Sequence, residues 1–530
     1  MEFGEPLCLE MKLTPFNSIK KFFNTKTIMI IVPHQDDELF LCGTIMGLLK
    51  GNRQNVFIVF TTNGDYGNDF NERKIESIKA LSKYGINKEN IIFLGYGDQY
   101  NTPYKHLYHA PNNDVTTSKA GYKETYGEDF CFKQWNVHHE YTIENYIYDI
   151  REIIKLILPD IIFSNDLDWH PEHRFTSLIL DRVLGEILKE NKNYRPYIFK
   201  GFIYFIGWDG VSDYRKINLG RTKKPTRSKS FDKRFDVGNP YFKWNDRLCF
   251  PIDYQLTLKK KNTLFKAVSK YKFSKNAKRF YESMMNADAI FWQRVTTNAA
   301  LHATVNVSSG NENYLNDFII VDLNDITKKN SMDFEASVWR PANSDKQPKI
   351  DMVFDQPIIA NTIVLYRDIY SYSKECVHYS IEYKYLIDEK EETEIIEGCI
   401  KEYDLRVDID LKKDYMLTDL HIQLDNNSIG FTEIEVNKTQ MIQFIKIIVN
   451  GDYAYDYHIG EKTDIVDLNL NVYGLKKEDV IVDVIEHIPQ KEPIKIKNNK
   501  LYIGDRIKKC YIKAFFSKNP EVYDVVCLRR

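Results

Sequence analysis

The sequence predicts an α/β domain near the amino terminus, followed by all-β sandwich domains. Between about residues 26 and 210, short β-branched runs alternate with helical periodicity. After residue 295 the apolar runs are short, alternate in polarity and are separated by turns, which is typical of sandwiches. A chain of 530 residues is too long for one ordinary core. We therefore predict domains at residues 1–295, 296–437 and 438–530.

Short apolar runs predict the strands of the first domain at residues 27–32, 56–61, 91–94, 161–164 and 199–206. Helical periodicity lies between these runs, and its clearest case is the isoleucine stripe of residues 143–157, which ends before Pro159. Strands that alternate with helices imply right-handed crossovers and a mainly parallel, Rossmann-like sheet. In such sheets the chemistry lies at the carboxyl ends of the strands.

Three other segments predict further structure. Residues 100–141 are too long for an ordinary connection in a compact domain, which is typical of a lid or a binding loop. Helical periodicity returns at about residues 256–295, so we predict a helix there. The pattern of residues 438–530 predicts a small β domain, for which an immunoglobulin-like fold is one option.

Composition excludes several classes of function. Lys and Arg number 73 and Asp and Glu number 75, so the formal net charge is −2. The chain therefore lacks the basic surface of a general nucleic-acid binder. No apolar run reaches about 18 residues, so no membrane span is expected. The amino terminus has no basic stretch followed by an apolar core, so we expect a cytoplasmic protein by default, or an extracellular one if a signal has been removed.

Two segments rich in metal ligands follow predicted strands. The first strand leads into His34, Asp36 and Asp37 of the sequence PHQDDE. The fourth leads into DLDWHPEHR, which contains His170 and His173. Imidazole and carboxylate groups both suit zinc, and parallel strands open at the same edge of a sheet. Three protein ligands plus water form a catalytic zinc site, which leaves a carboxylate to act as a base and a histidine to stabilise an oxyanion.

These motifs resemble those of the PIG-L/LmbE family of zinc-dependent N-deacetylases. PHQDDE resembles the family's PHPDDE, and DWHPEHR resembles its DxHPDHR. Two further stretches match, one around Arg73-x-x-Glu76 and one, LGYGD, that ends at Asp98. The four motifs occur in order, and the resemblance covers about residues 26–295.

The resemblance implies a role for five residues at the metal. It implies that His34, Asp37 and His173 bind Zn²⁺. It also implies that Asp36 is the general base and that His170 stabilises the tetrahedral intermediate.

Other positions match parts of the family's site that surround the metal. The resemblance implies that Arg73 and Asp98 bind the polar substrate, although an Arg and a Glu one helical turn apart also commonly form a surface pair. Asp168 is expected to orient a ligand histidine from behind. Gln35 and Glu172 replace the family's Pro and Asp. Neither position is a metal ligand in the family, so these departures concern substrate detail.

The β region resembles the galactose-binding-like sandwiches of discoidin-type carbohydrate-binding modules. The residues that carry this second resemblance are 303–309, Trp339, 350–354, 362–367 and 430–436. The fold hosts many ligands, so it does not identify one.

Together the two resemblances imply a zinc-dependent hydrolase that removes the N-acetyl group from a sugar of the N-acetylglucosamine type, in a glycan or glycoconjugate, and releases acetate. The expected partner is a carbohydrate, and neither nucleic acid nor a membrane span is expected. Two alternatives stay open: an amidase of a thiol–sugar conjugate, and a glycan-binding protein with an inactive hydrolase domain.

Overall fold

The structure is a computed structural model that describes residues 23–530 except 48, 50–51, 99–106, 108–109, 111–112, 169, 204–238, 243–247, 252–262, 274–287, 322–336, 370–375, 439–443, 454–455, 461–462 and 474–475. In chain order, its helices are α1 (Asp37–Met46), α2 (Phe70–Leu81), α3 (Phe130–Trp135), α4 (Ile143–Ile157), α5 (Pro171–Glu190) and α6 (Thr263–Val268). Among the described residues, none of these helices is both long and apolar enough to cross a membrane.

The amino-terminal part of the chain forms one seven-stranded sheet. Its strands are β1 (Ile28–Val32), β2 (Val56–Thr62), β3 (Ile91–Tyr96), β4 (Ile161–Asn165), β5 (Tyr197–Gly201), β6 (Leu248–Pro251) and β7 (Asp288–Arg294). The strand order is β3-β2-β1-β4-β5-β7-β6. The first five strands of this order pair in parallel, and β7 and β6 add an antiparallel edge. The predicted mainly parallel sheet is confirmed.

The central strand β1 separates two apolar cores. Because side chains alternate along a strand, Ile28, Ile30 and Val32 enter one core while Met29 and Ile31 enter the other. All five side chains are fully buried. Residues of α1, α2 and α6 complete the first core, and residues of α4 and α5 complete the second. With both faces covered, the polar ends of the strands are the part of the sheet that is open to chemistry.

Helix boundaries follow local capping signals. The Thr142 hydroxyl accepts a hydrogen bond from the Asn145 backbone N–H and caps α4. Pro171 occupies the first turn of α5 and His170 is its N-cap residue. The sequence therefore places His170 and His173 at the start of a helix, as the Pro predicted.

The predicted helix at residues 256–295 is wrong in its last part. Helix α6 ends at Val268, and residues 252–262 and 274–287 lie outside the described residues. Asp288–Arg294 is a strand that pairs with β5 and β6. The consecutive side chains of residues 289–292 are all buried, which is possible in a strand covered on both faces.

The proposed lid at residues 100–141 is only partly described. Its first residues lie outside the described part of the chain. The later part contains α3. One of its hydrogen bonds is internal, from His138 Nδ1 to Asp129 (2.6 Å), and another joins it to α4, from His139 Nδ1 to Asp149 (2.9 Å). A binding role for this segment stays a prediction.

The next part of the chain is a six-stranded antiparallel unit. Its strands are β8 (Thr304–Val307), β9 (Lys349–Arg367), β10 (Val377–Ile387), β11 (Lys390–Ile400), β12 (Arg406–Leu424) and β13 (Phe431–Asn437). The order is β11-β10-β12-β9-β13, and β8 pairs with β9. Register shifts between the long strands β9 and β12 mark irregularities at which a sheet bends. A disulfide joins Cys376 to Cys399.

The last part of the chain contains two further sheets around one core. Their strands are β14 (Phe444–Val449), β15 (Asp452–Tyr453), β16 (Asp456–His458), β17 (Ile465–Tyr473), β18 (Val480–Ile488), β19 (Ile494–Lys497), β20 (Lys500–Ile503), β21 (Lys509–Phe516) and β22 (Asn519–Arg529). The orders are β15-β14-β17-β20-β19 and β16-β22-β21-β18. The predicted all-β character after residue 295 is confirmed, whereas the exact domain limits stay predictions.

The six-stranded unit packs directly on the first domain. Val364 and Tyr366 of β9 share an apolar cluster with Trp292 of β7 and with Tyr241. The Tyr241 hydroxyl donates to the Arg367 carbonyl (2.5 Å), and its ring lies 5.4 Å from that of Tyr366. This contact buries large aromatic side chains of both the first domain and the six-stranded unit.

Buried polar groups lie in the same region. Glu433 of β13 accepts hydrogen bonds from the Phe318 backbone N–H (3.0 Å) and from the Asn298 side chain (3.1 Å). Arg294 of β7 donates to the Phe318 carbonyl (2.8 Å) and pairs with Asp181 of α5 (2.9 Å). The Arg294 contacts therefore join β7 and α5 to the segment around Phe318, which Glu433 of β13 also binds, and losing one of these buried partners would be costly.

We predict that Tyr366→Ala lowers the free energy of unfolding by about 3 kcal/mol, as truncation of a buried aromatic ring generally does. Loss of the ring leaves a cavity between the two units. Tyr403→Ala, whose side chain is 69% exposed, is the control and should have little effect. Urea denaturation followed by Trp fluorescence measures both. A Tyr366→Ala protein as stable as the control would contradict a shared core.

Candidate active site

The two ligand-rich segments converge at the carboxyl ends of β1 and β4. The chain turns after Val32, and α1 begins at Asp37. On the neighbouring strand, the chain turns after Asn165 and enters α5. Because β1 and β4 pair in parallel, both turns open at the same edge. The parallel pairing brings together residues that are far apart in the sequence.

The Asp37 carboxylate lies between two histidines. Its Oδ2 atom is 2.9 Å from His34 Nδ1 and 3.1 Å from His173 Nε2. On the other side of the His173 ring, Nδ1 lies 2.7 Å from Asp168 Oδ2. Asp37, Asp168 and His173 are fully buried. Asp168 thus orients the His173 ring so that Nε2 faces Asp37.

These donors fit a metal ion. The other Asp37 oxygen, Oδ1, is buried and has no hydrogen-bond partner among the described residues. One ring nitrogen from each of His34, His170 and His173 lies within 4.8 Å of the other two. Two imidazoles and one carboxylate are a ligand set that zinc favours, and a carboxylate behind a ligand histidine is a common supporting contact.

The charges of this cluster depend on one another. Burial disfavours the Asp37 carboxylate, but the adjacent His173 and His34 overcome this effect and hold its pKa well below the usual range. Burial likewise disfavours protonated His173, yet Asp168 and Asp37 raise its pKa to about 9. Burial also disfavours protonated His34, but Asp37 and Glu172 raise its pKa well above the usual value, so protons on His34 and His173 balance the buried carboxylates. A bound metal would take over this charge.

Asp36 and His170 border the same cluster. Asp36 Oδ1 is buried and, among the described residues, has no hydrogen-bond partner, while Oδ2 lies 3.4 Å from Arg73 Nη2. Burial, opposed by Arg73, raises the pKa of Asp36 to about 6. The His170 ring lies 4.7 Å from the rings of both His34 and His173. Burial and these two histidines lower the pKa of His170 well below its usual value, so it is neutral at pH 7.

Arg73 and Asp98 both lie at the cluster. Arg73 donates a hydrogen bond to the Gln35 carbonyl in addition to its contact with Asp36. Asp98 Oδ2 is 3.8 Å from His34 Nε2. The structure therefore brings all eight predicted site residues to one edge of the sheet. Their contacts are observed, whereas their roles in binding and catalysis stay predictions.

Three residues at the site were not among those predicted. Glu172 Oε2 lies 2.6 Å from His34 Nε2, although the motif suggested only a change in substrate detail. Glu38 is fully buried and accepts a hydrogen bond from the Tyr271 hydroxyl (2.8 Å). Burial raises the pKa of Glu38 to about 8. Glu38 and Glu172 lie within the two motifs, which places them near the site but does not give their contacts, and nothing in the sequence linked Tyr271 to the site.

We predict that Glu172→Gln lowers the affinity of the protein for zinc by about 10- to 100-fold, the usual effect of losing a carboxylate partner of a ligand histidine. The substitution keeps the size of the side chain but removes the charge beside His34 Nε2. Competition with a chromophoric chelator measures the affinity. Glu186→Gln, on the same helix but paired with Arg151, is the control. Equal affinities in the two variants would contradict the contribution of Glu172.

Comparison with known proteins gives one family match and several similar solved structures. Residues 29–184 match the model of the PIG-L family, described as GlcNAc-PI de-N-acetylase. No curated protein matches the chain. Solved structures that are similar include an N,N'-diacetylchitobiose deacetylase from Pyrococcus horikoshii, at 15% identity and a TM-score of 0.30 over 54% of this chain and 91% of that one.

Other similar structures match a smaller share of the chain. One is the family 32 carbohydrate-binding module of Streptococcus pneumoniae EndoD, at 10% identity and a TM-score of 0.20 over 27% of this chain and 99% of that one. Another is CpGH89CBM32-6 from Clostridium perfringens, at 17% identity and a TM-score of 0.19 over 27% of this chain and 98% of that one. Residues 29–184 thus match the PIG-L family both in the family model and in the motifs that they contain.

Proposed function

We propose that this protein is a zinc-dependent N-deacetylase that acts on an acetylamino sugar of the N-acetylglucosamine type. The observation that carries the proposal is the position of the Asp37 carboxylate between His34 and His173, with Asp36 next to it in the chain. The description of the matching family, GlcNAc-PI de-N-acetylase, supports the same class of reaction. The products would be acetate and a free amino sugar.

His34, Asp37 and His173 would hold the metal in this proposal. When bound, zinc supplies Lewis acidity that activates water and polarises an amide carbonyl. Glu172 and Asp168 touch the outer nitrogens of the two histidines and would keep the rings in the orientation that binding requires. Three protein ligands leave room for water and substrate.

Asp36 would move the protons of the reaction. A pKa of about 6 leaves most of this carboxyl group ionised at pH 7 and still basic enough to accept a proton from the attacking water. Its unpartnered Oδ1 atom is the one available for this transfer. When the C–N bond breaks, the same group returns the proton to the leaving nitrogen. The proton count then balances, with water added across the amide.

His170 would stabilise the oxygen that becomes negatively charged. A neutral imidazole donates one N–H hydrogen bond, and a donor aimed at a developing charge in a buried site lowers the barrier. The lowered pKa of His170 keeps it neutral, so it is a hydrogen-bond donor that does not compete with Asp36 for the proton.

The β units would contribute to the choice of substrate. A carbohydrate-binding module adjacent to a deacetylase raises the local concentration of the reactive domain on an extended glycan. In this chain the six-stranded unit packs on the first domain, so its surface would lie in a fixed position relative to the active site. We therefore favour a glycan or glycoconjugate over a small thiol–sugar conjugate.

We predict that Asp36→Asn keeps its zinc but releases acetate at least 10²-fold more slowly than the wild type, since a general base typically contributes 10²–10⁴-fold. His34→Ala should lose both zinc and activity because it removes a ligand. The assays are elemental analysis and acetate release from N-acetylglucosamine and its short oligomers.

Asp69→Asn is the control for the Asp36 substitution, because Asp69 is an exposed cap of α2 and Asn also caps helices. It should match the wild type in both assays. If Asp36→Asn lost zinc together with activity, Asp36 would be a ligand and not the base. A wild-type protein with full zinc but no acetate release from any acetylated sugar would contradict the proposed function.

A further inference from the structure

We propose that Tyr271 is a positioning residue that fixes the backbone and carboxylate of Asp36 by holding Glu38 and Arg73 at the same time. The inference rests on the proposed function in that Asp36 is taken as the general base. Tyr271 lies beyond residues 29–184, the segment that matches the family model. The chain would thus complete its active site with a residue from a later segment.

Asp36 has an unusual backbone conformation. Its φ is 122° and its ψ is −28°, a region that residues other than glycine seldom adopt. Such a conformation persists only where the surroundings determine it strongly, and it is common at functional sites. Whatever holds Asp36 in this conformation also sets the direction of its carboxylate.

Glu38 provides the first restraint. Its Oε2 atom accepts a hydrogen bond from the Asp36 backbone N–H (2.8 Å). Its Oε1 atom accepts one from the Tyr271 hydroxyl (2.8 Å). Glu38 is fully buried, so each oxygen has a defined partner. Since Oε1 accepts a hydrogen bond from Tyr271, the Glu38 carboxyl group cannot rotate away from the Asp36 N–H without breaking a buried hydrogen bond.

Arg73 provides the second restraint. Its guanidinium group lies 5.3 Å from the centre of the Tyr271 ring, which is a cation–π contact. The same group donates to the Gln35 carbonyl and lies 3.4 Å from Asp36 Oδ2. The ring of Tyr271 therefore contacts Arg73, and its hydroxyl donates a hydrogen bond to Glu38. Both of these residues contact Asp36.

The position of Tyr271 is itself set by packing. It follows α6, whose residue Leu264 packs against Gly43 of α1, so closely that a Cβ atom on the glycine would lie 2.4 Å from Leu264 Cδ1. Tyr271 stacks on Phe273 at 5.5 Å and is 5% exposed. The hydroxyl is consequently held beneath the start of α1, where Asp36 and Glu38 lie.

The matched pair of variants is Tyr271→Phe and Tyr84→Phe. Tyr84 is equally buried, and its hydroxyl also donates to helix α1, at the Gly43 carbonyl (2.9 Å). Both variants lose one buried hydrogen bond to the same helix, but only that of Tyr271 leads to Asp36. We expect Tyr271→Phe to lower kcat about 10-fold, within the range seen when a supporting contact is lost, with KM and zinc content unchanged. Tyr84→Phe should keep the kcat of the wild type.

A double substitution distinguishes positioning from general destabilisation. If Tyr271 acts through Asp36, adding Tyr271→Phe to Asp36→Asn should not lower kcat further, because the group being positioned is already gone. A further loss equal to that of the single variant would overturn the inference. So would an unchanged kcat for Tyr271→Phe, or the same loss in Tyr84→Phe.

Hydrogen exchange provides a test that does not need activity. The Asp36 N–H is bonded to Glu38, so Tyr271→Phe should speed exchange in peptides that contain Asp36, whereas Tyr84→Phe should not. Mass spectrometry of full-length protein measures this. If the wild type releases no acetate, the proposed function fails and exchange alone decides the role of Tyr271. Exchange at the wild-type rate in Tyr271→Phe would overturn the inference in either case.

Discussion

The Asp37 Oδ2 atom lies within 3.1 Å of nitrogens from both His34 and His173, and the rest of the site depends on this contact. Burying a carboxylate with two imidazoles is unfavourable unless the charges are matched. Behind His34 lies Glu172 and behind His173 lies Asp168. Protons on His34 and His173 balance the buried carboxylates, and in the proposed site a bound cation would replace them.

The fold brings the site residues together with ordinary backbone conformations in most of them. Adjacent parallel strands bring the two turns to one edge of the sheet. The start of α5 then places His170 and His173 close together. Asp36 is the exception, since its backbone lies in an unfavourable region. The strain falls on the residue proposed to move protons, and the residues that hold it in place come from three different helical or loop segments.

Local patterns made much of this predictable. PHQDDE follows a buried strand directly, and Pro171 marks the start of a helix, so His34, Asp37 and His173 could be assigned to one edge of a parallel sheet from the sequence. The contact of Glu172 with His34 depends on side-chain directions that spacing does not contain. Tyr271 could not be predicted for another reason. Its hydrogen bond to Glu38 joins residues 233 positions apart, and no sequence motif contains Tyr271. The strand at Asp288–Arg294 was missed because a short, continuous apolar run fits a buried helix and a buried strand equally well.

The central claim is that zinc binds between His34, Asp37 and His173, and X-ray absorption at the zinc edge of the zinc-loaded full-length protein tests it most directly. We expect nitrogen and oxygen ligands alone at about 2.0–2.1 Å in the wild type, and no zinc-edge signal from this site in His34→Ala, which loses the metal. A sulfur ligand at about 2.3 Å would contradict it and would point instead to the group of Cys131, His139 and Asp149. An unchanged spectrum in His34→Ala would contradict it as well.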